Sequence, residues 1–487
     1  MENPQQNSEE GLMPKSSPPQ PNPAIVANEA GQGSGFPESD KSSATPVVVL
    51  STLVAICGSF AYGCTIGYSS PAESGMRADL RLSVTQYSVF GSVLTVGGII
   101  GSLVNGKIAD LVGRRRTMWL SELFCIVGWL AVAFSKHAWS LYLGRFSLGI
   151  GLVLMAYVIP VYIAEITPKN IRGAFTAAFQ FLLTSGLSVM YLVGTVVSWR
   201  ALALIAAVPC LLQIIGLFFI PESPRWLAKV GREKELETTL QRLRGKNADI
   251  SMESAHIREY TQTFEMDSKV GIFYLFQRKY AYPLVVGVGL SAMQPLLGAT
   301  AIQYYASYIF SEADFSTKIG SISLAIIQLP VIGASVLLTD RFGRRPLLLA
   351  STIVMCLSLA IIATAFGLQG THRWNEVTSV LVYVGIMGFS VGYSIGLSGL
   401  PGVVMAEIFP INMKGLAGSL VIFIHHCINW TITFTFHFMM EWSKTGTFSI
   451  FWVICAAGVA FVTFLVPETK GRTLEEIQAS ITKLSRR

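Results

Sequence analysis

Apolar residues occupy this chain in long blocks, and polar residues gather between the blocks instead of alternating within them. Runs of roughly 18 or more apolar residues, long enough to cross hydrocarbon as helices, lie near 46–67, 87–105, 117–135, 140–163, 172–195, 200–220, 281–309, 318–338, 346–367, 377–405, 415–439 and 447–466. They predict an all-α membrane protein with twelve transmembrane helices, because a helix satisfies its own backbone polar groups in lipid. One long polar stretch, 222–280, interrupts them. Its segments 232–237 and 240–244 have the spacing of short amphipathic helices. The expected organisation is a six-helix half over 46–221, a helical linker over 222–280 and a second six-helix half over 281–466. Residues 1–45, rich in Pro, Ser, Gln and Gly, read as a disordered tail without a cleavable signal peptide. A second polar tail covers 467–487.

Composition agrees: of 487 residues, 52% are hydrophobic and 13% charged, and the mean hydropathy is +0.53. The net charge of +7 gains meaning from its placement. Basic residues crowd alternate loops, at Arg114–Arg116, at Lys169 and Arg172, between Arg225 and Lys279, and at Arg341–Arg345. That asymmetry puts those loops and both termini on the cytosolic side of a multi-pass protein. No basic face with interleaved aromatics exists outside the apolar runs, which argues against nucleic acid. The seven cysteines all fall inside apolar runs without clustered spacing, so they read as packing residues and not as disulfide or metal ligands. No cofactor or metal is expected.

The loop Gly106-Lys-Ile-Ala-Asp110-Leu-Val-Gly113-Arg114-Arg115-Arg116 joins the second and third runs, and Asp340-Arg-Phe-Gly343-Arg344-Arg345 repeats it in the second half. A glycine allows the sharp turn, and an aspartate at a helix end can pair with a guanidinium. Other segments repeat too. Glu165-Ile-Thr-Pro168 with Arg172-Gly173 is echoed by Glu407-Ile-Phe-Pro410 with Lys414-Gly415, and Pro221-Glu222-Ser-Pro224-Arg225 by Pro467-Glu468-Thr. Asp110, Arg114, Arg115, Glu165, Arg172, Glu222, Arg225, Asp340, Arg344, Arg345, Glu407 and Lys414 thus become candidates for an ion-pair latch at the cytosolic mouth. The plainer alternative is a set of helix-end anchors. Parallel six-helix repeats with a midplane binding site between them describe the major facilitator fold.

With Gly144-Arg145-Phe146 added, these motifs together resemble the sugar porter family over nearly all of residues 50 to 475. Gly67-Tyr-Ser-Ser-Pro71, Ser121-Glu122 and Ala406-Glu-Ile-Phe-Pro-Ile-Asn-Met-Lys414 are most similar to the plant early-responsive-to-dehydration-type monosaccharide transporters. The resemblance implies hexose movement by alternating access, in a vacuolar or plasma membrane. It also brings Arg145 into the cytosolic gate set. A side-chain amide both donates and accepts, which suits a polyol, and a polar residue inside a spanning helix is a site candidate. By motif position the substrate contacts are Gln180, Gln294, Thr300, Tyr304, Asn429 and Trp430, with Tyr305 able to help close the seventh helix. Helix–helix hydrogen bonding is the alternative role for each.

Departures from the family pattern are concentrated in the pore. Its seventh helix usually reads Gln-Gln-x-Ser-Gly-x-Asn, and here Gln294-Pro295-Leu296-Leu297-Gly298-Ala299-Thr300 stands instead. The tenth helix has Gly402 where the family has tryptophan. Proton symporters of the family carry an aspartate in the first helix, where this chain has Thr65, so facilitated diffusion is expected and proton coupling is the alternative. Glu122, His425, His426 and His437 remain the possible proton carriers. A transport-impaired sugar sensor is a further reading. Gly396-Leu-Ser398-Gly399 with a later histidine superficially suits an intramembrane protease, but that leaves the duplicated motifs unexplained. The expected partners are a small-molecule sugar and the bilayer, with a monomer sufficient for transport.

Overall fold

The computed structural model describes residues 45–168, 172–267, 275–369, 375–409 and 414–470. The tails expected at 1–45 and 467–487 lie outside the described residues apart from their inner ends. Eleven helices among the described residues are long and apolar enough to cross a membrane, and Ala178–Val193, within another helix, is also apolar. In chain order the helices are α1 Pro46–Gly67, α2 Ser69–Leu80, α3 Val84–Val112, α4 Arg114–Ala133, α5 Ala138–Ile166, α6 Arg172–Val193 and α7 Trp199–Leu217. The linker forms α8 Pro224–Lys229, α9 Glu233–Arg244 and α10 Ser251–Asp267. Then come α11 Arg278–Leu296, α12 Ala299–Glu312, α13 Thr317–Phe342, α14 Arg344–Leu368, α15 Asn375–Gly392, α16 Leu400–Ile408, α17 Lys414–Trp442 and α18 Lys444–Leu465.

Local chemistry sets the helix ends. Thr45 accepts the amide of Val48 ahead of Pro46 at the start of α1, and Ser83 with Gln86 forms a reciprocal capping box on α3. The seventh apolar run is two helices. Pro295 cannot donate to the helix ladder, and Gly298 turns the chain at φ 78° before α12 begins. Another non-helical residue, Tyr305 at φ −122°, kinks α12 itself. The tenth run is broken as well, by a π-helical turn over Tyr393–Leu397. Side chains take up the backbone groups these breaks release. Gln294 Nε2 donates to the Leu397 carbonyl at 2.6 Å, while Ser351 Oγ donates to the Gly392 carbonyl and accepts from the Leu397 amide. Irregular backbone at membrane depth is tolerated where it is satisfied in this way.

Glycines bring the helices of the first half together. A Cβ on Gly97 or Gly149 would strike backbone at the α3–α5 crossing, and one on Gly63 or Gly186 would do so between α1 and α6. This close approach of small residues is the packing that membranes favour. The two halves meet along α3 with α17, α6 with α13, and α2 with α12.

Candidate functional site

A cavity of about 240 Å³ lies where those facing helices meet. That is a little below the roughly 300–1,000 Å³ of sites for drug-sized ligands, a scale suited to one small ring. Gln180 from α6 lines it on one side, and Gln294, Thr300, Tyr304 and Asn429 line it on the other. The structure therefore brings together five of the six residues predicted as substrate contacts. Gln180 makes no side-chain hydrogen bond among the described residues, whereas Gln294 spends a donor on the Leu397 carbonyl. The Asn429 Oδ1 is buried with no hydrogen bond of its own. Trp430 departs from the set. One position along α17 from Asn429, its ring turns away from the cavity, is 40% exposed and stacks on Phe434.

Sequence reasoning missed Gln303, Gln328, Tyr62 and Tyr393, all of which line the cavity. An amide inside an apolar run was the available signal for Gln303 and Gln328. His425 and His426 also line it, although nothing in the sequence placed them there. His425 Nδ1 contacts the Ser291 carbonyl at 2.9 Å, and Ser398 hydrogen-bonds to its own helix at the Ser394 carbonyl. Neither makes the Ser–His contact that a protease would need. At the positions of altered family residues, Leu297 is fully buried, and a Cβ on Gly402 would meet open space.

The duplicated motifs build the same object twice. Gly113 at φ 97° and Gly343 at φ 93° each reverse the chain, conformations that glycine adopts without steric cost. The amides of Arg114 and Arg115 then donate to the Glu222 carboxylate, as those of Arg344 and Arg345 do to Glu468. Arg114 pairs with Glu165 at 3.0 Å and Asp110 at 3.1 Å, while Lys229 holds the other Asp110 oxygen at 3.0 Å. Arg344 pairs with Glu407 at 3.0 Å. Arg115 and Arg345 reach the carbonyls of Ile220 and Thr463. Arg225 sits half-buried at the start of α8. The side chains of Arg172, Asp340 and Lys414 lie outside the described residues.

Arg145 does not belong to this basic end. It lies near the opposite end of α5 from Glu165, about 30 Å away at 1.5 Å per residue. Its guanidinium is fully buried, donates to the Thr65 carbonyl at 3.2 Å and to the Ser69 hydroxyl, and rests over the rings of Phe90 and Tyr68. Among the described residues no carboxylate lies within ion-pair distance of it. Glu122 is fully buried in α4, beside Cys210 of α7, and is not among the cavity-lining residues.

Direct bonds between the halves sit at this far end. Ser70 meets Ser307 at 2.9 Å, Glu73 meets His437 at 3.0 Å, and Tyr191 donates to the Gln303 carbonyl at 2.5 Å. At the basic end, the ion pairs among the described residues stay inside the first half with its linker, or inside the second half. These bonds tie the two halves together at the far end.

Residues 37–480 match the family described as Sugar (and other) transporter. Sugar transporter ERD6-like 11 of Arabidopsis thaliana is 49% identical over 446 residues, which cover 92% of this chain and 96% of that protein. Sugar transporter ESL1 of the same plant is 49% identical over 438 residues, 90% of this chain and 93% of the relative. Among solved structures, the inward open conformation of the xylose transporter XylE from E. coli superimposes with a TM-score of 0.74 at 22% identity, covering 89% of this chain and 99% of that one. At that identity the likeness is one of fold, and the fold is that of the major facilitator superfamily.

Proposed function

Because the chain belongs to the family of sugar (and other) transporters, we propose that it carries a monosaccharide, a hexose in the first instance, through the cavity between its halves by alternating access. The observation that carries this reading is the set of amides converging from opposite halves, Gln180 from α6 with Gln294, Gln303, Gln328 and Asn429 across from it. Amides on both walls can be bridged by the several hydroxyls of one sugar, and the bridge ties occupancy to the relative position of the halves. Tyr62, Tyr304 and Tyr393 add apolar ring surface for the C–H faces.

The basic end is the cytosolic end, on the asymmetry of lysine and arginine between loops. With the far end latched, the state is inward-facing. The pairs Arg114–Glu165 and Arg344–Glu407 hold the helix ends of each half so that each half rocks as one body. Transport is facilitated diffusion, supported by the uncharged Thr65 beside Arg145 and by the buried position of Glu122 away from the cavity; the cavity-lining His425 and His426 are the groups that proton coupling would have to use instead. The same uptake measurement addresses a sensor that has lost transport.

The test is purified protein in sugar-loaded liposomes, with counterflow of a panel of radiolabelled sugars. Uptake of one or more monosaccharides, competed by the unlabelled sugar and absent from empty liposomes, is the expected result. Counterflow with no monosaccharide, in protein shown to be folded by its thermal melt, overturns the reading.

A further inference from the structure

A larger cavity, about 410 Å³, opens at the basic end between the start of α4, the chain after α7, and α8–α9. Arg115, Arg116, Arg232, Lys234 and Arg242 line it, against two carboxylates, Glu222 and Glu235. Neither acid neutralises the wall fully. Glu222 is committed to the backbone amides of Arg114, Arg115 and Ser223, and among the described residues Glu235 pairs with Arg232 alone, at 3.5 Å. The side chains of Arg116 and Lys234 make no ion pair or hydrogen bond among the described residues.

Two of the cations are held in place by backbone. Arg115 donates to the Ile220 carbonyl at 3.0 Å and Arg242 to the Phe219 carbonyl at 2.7 Å. Each uses one edge of its guanidinium and keeps further N–H groups, a fork suited to phosphate oxygens. Thr238 and Thr239 also line the cavity. This positive concavity sits beside the lipid-facing end of α7, where Phe218 is 67% and Phe219 60% exposed and Trp119 packs edge-on against Phe218. An aromatic belt of this kind marks the level of the lipid headgroups.

We propose that this cavity binds the phosphate of a phosphorylated polyol, presented on a lipid headgroup or free in solution. The site is separate from the sugar cavity and shares no lining residue with it. A ligand there would bridge Arg116 on α4 to Lys234 on α9, and so fasten the linker to the first half beside the Arg114–Glu165 pair.

The experiment compares full-length protein with the double variant R116Q/K234Q, which leaves the gate pairs in place. Inositol 1,4,5-trisphosphate is titrated calorimetrically against protein in detergent. In parallel, thermal stability is measured in nanodiscs containing phosphatidylinositol 4-phosphate or charge-matched phosphatidylserine. The expected result is binding to one or both phosphorylated polyols, weakened about tenfold or more in the variant, with the unliganded melting temperature unchanged. Stabilisation only in phosphoinositide nanodiscs assigns the headgroup as the source, binding of the trisphosphate without stabilisation in those nanodiscs assigns a free ligand, and both together show that the site takes the phosphorylated polyol in either form. No binding in either format, equal binding by variant and parent, or equal stabilisation by phosphatidylserine overturns the proposal.

Discussion

Glu73 of α2 and His437 of α17 meet at 3.0 Å with both side chains buried, and they belong to opposite halves of the molecule. Tyr87 and Tyr305 pack edge-on against the His437 ring from either half, and Arg77 stands 3.6 Å from the same carboxylate. Opening the far end must break this pair. Removing one member leaves the other buried without its partner, at a cost of about 1–3 kcal/mol. Glu73→Ala or His437→Ala is therefore expected to shift the population toward far-end opening by roughly five- to a hundredfold. Labelling of a single cysteine introduced at Ser307 reports it. Equal labelling rates in parent and variants would mean that the pair does not latch the halves.

The two glutamines should separate on stability. Gln180 has no side-chain hydrogen bond to lose among the described residues, so Gln180→Ala is expected to weaken sugar binding by about five- to a hundredfold and leave the melting temperature alone. Gln294→Ala should weaken binding and also lower the melting temperature, because the Leu397 carbonyl in the π turn loses its donor. Trp430→Phe should do neither to a measurable extent, since the ring lies outside the cavity. Tryptophan-quench or scintillation-proximity binding beside a thermal melt reads all three. Unchanged affinity in both glutamine variants would remove them from the site.

These contrasts show what the sequence makes legible. Block hydropathy locates the spanning helices because lipid imposes length and apolarity on each one separately. The repeated Gly-Arg-Arg motif reads correctly as a duplicated structure, since Gly113 and Gly343 take similar positive φ and the amides that follow each bind a carboxylate at the matching position, Glu222 or Glu468. Facing direction is harder. Asn429 and Trp430 are adjacent, and one helical step of about 100° puts one in the cavity and the other outside it. Arg145 was misplaced for a different reason: a motif names neighbours along the chain, whereas the end of the membrane it occupies depends on the direction of its helix. The seventh and tenth runs read as unbroken spans, because hydropathy does not register the interruption at Pro295 and Gly298 or the π turn over Tyr393–Leu397, and the side chains that satisfy the tenth-run break, Gln294 and Ser351, come from other helices.

The duplicated carboxylates should titrate differently. At Glu222 burial prevails over the donated amides of Arg115, Ser223 and Arg114 and raises its pKa above the usual glutamate value. At the more exposed Glu468 burial acts the same way, but the amides of Lys470, Arg344, Arg345 and Thr469 outweigh it and lower the pKa. The signs follow. Charged Glu468 stabilises its loop above the unfolded-state value, and that contribution is lost as pH falls through its depressed folded value. Glu222 takes up its proton earlier in the same descent, and its stabilisation of the fold is fullest below the unfolded-state value. A titration of ¹³C-labelled glutamate, assigned with E222Q and E468Q, should therefore show Glu222 protonating at the higher pH. The reverse order would mean that the amides, not burial, govern Glu222.

Energy coupling turns on the pair that is missing a carboxylate. Arg145 meets Thr65 only through a backbone carbonyl, and the Thr65 hydroxyl bonds back to Ala61. A carrier that moves a proton needs a group able to gain and lose one in step with the conformational change, and a threonine cannot. Glu122 can titrate, but it lies beside Cys210 away from the cavity, so Glu122→Gln is expected to leave sugar flux within about twofold, as a substitution that touches neither sugar nor gate. In liposomes with an imposed pH gradient and equal sugar on both sides, the parent protein should show no net accumulation. Thr65→Asp would put a titratable carboxylate beside the buried guanidinium of Arg145, and exchange by that variant should become more pH-dependent than exchange by the parent. Accumulation by the parent that collapses with a protonophore would overturn facilitated diffusion. If that accumulation also vanished in Glu122→Gln, the proton would have to reach α4 by a path other than the central cavity.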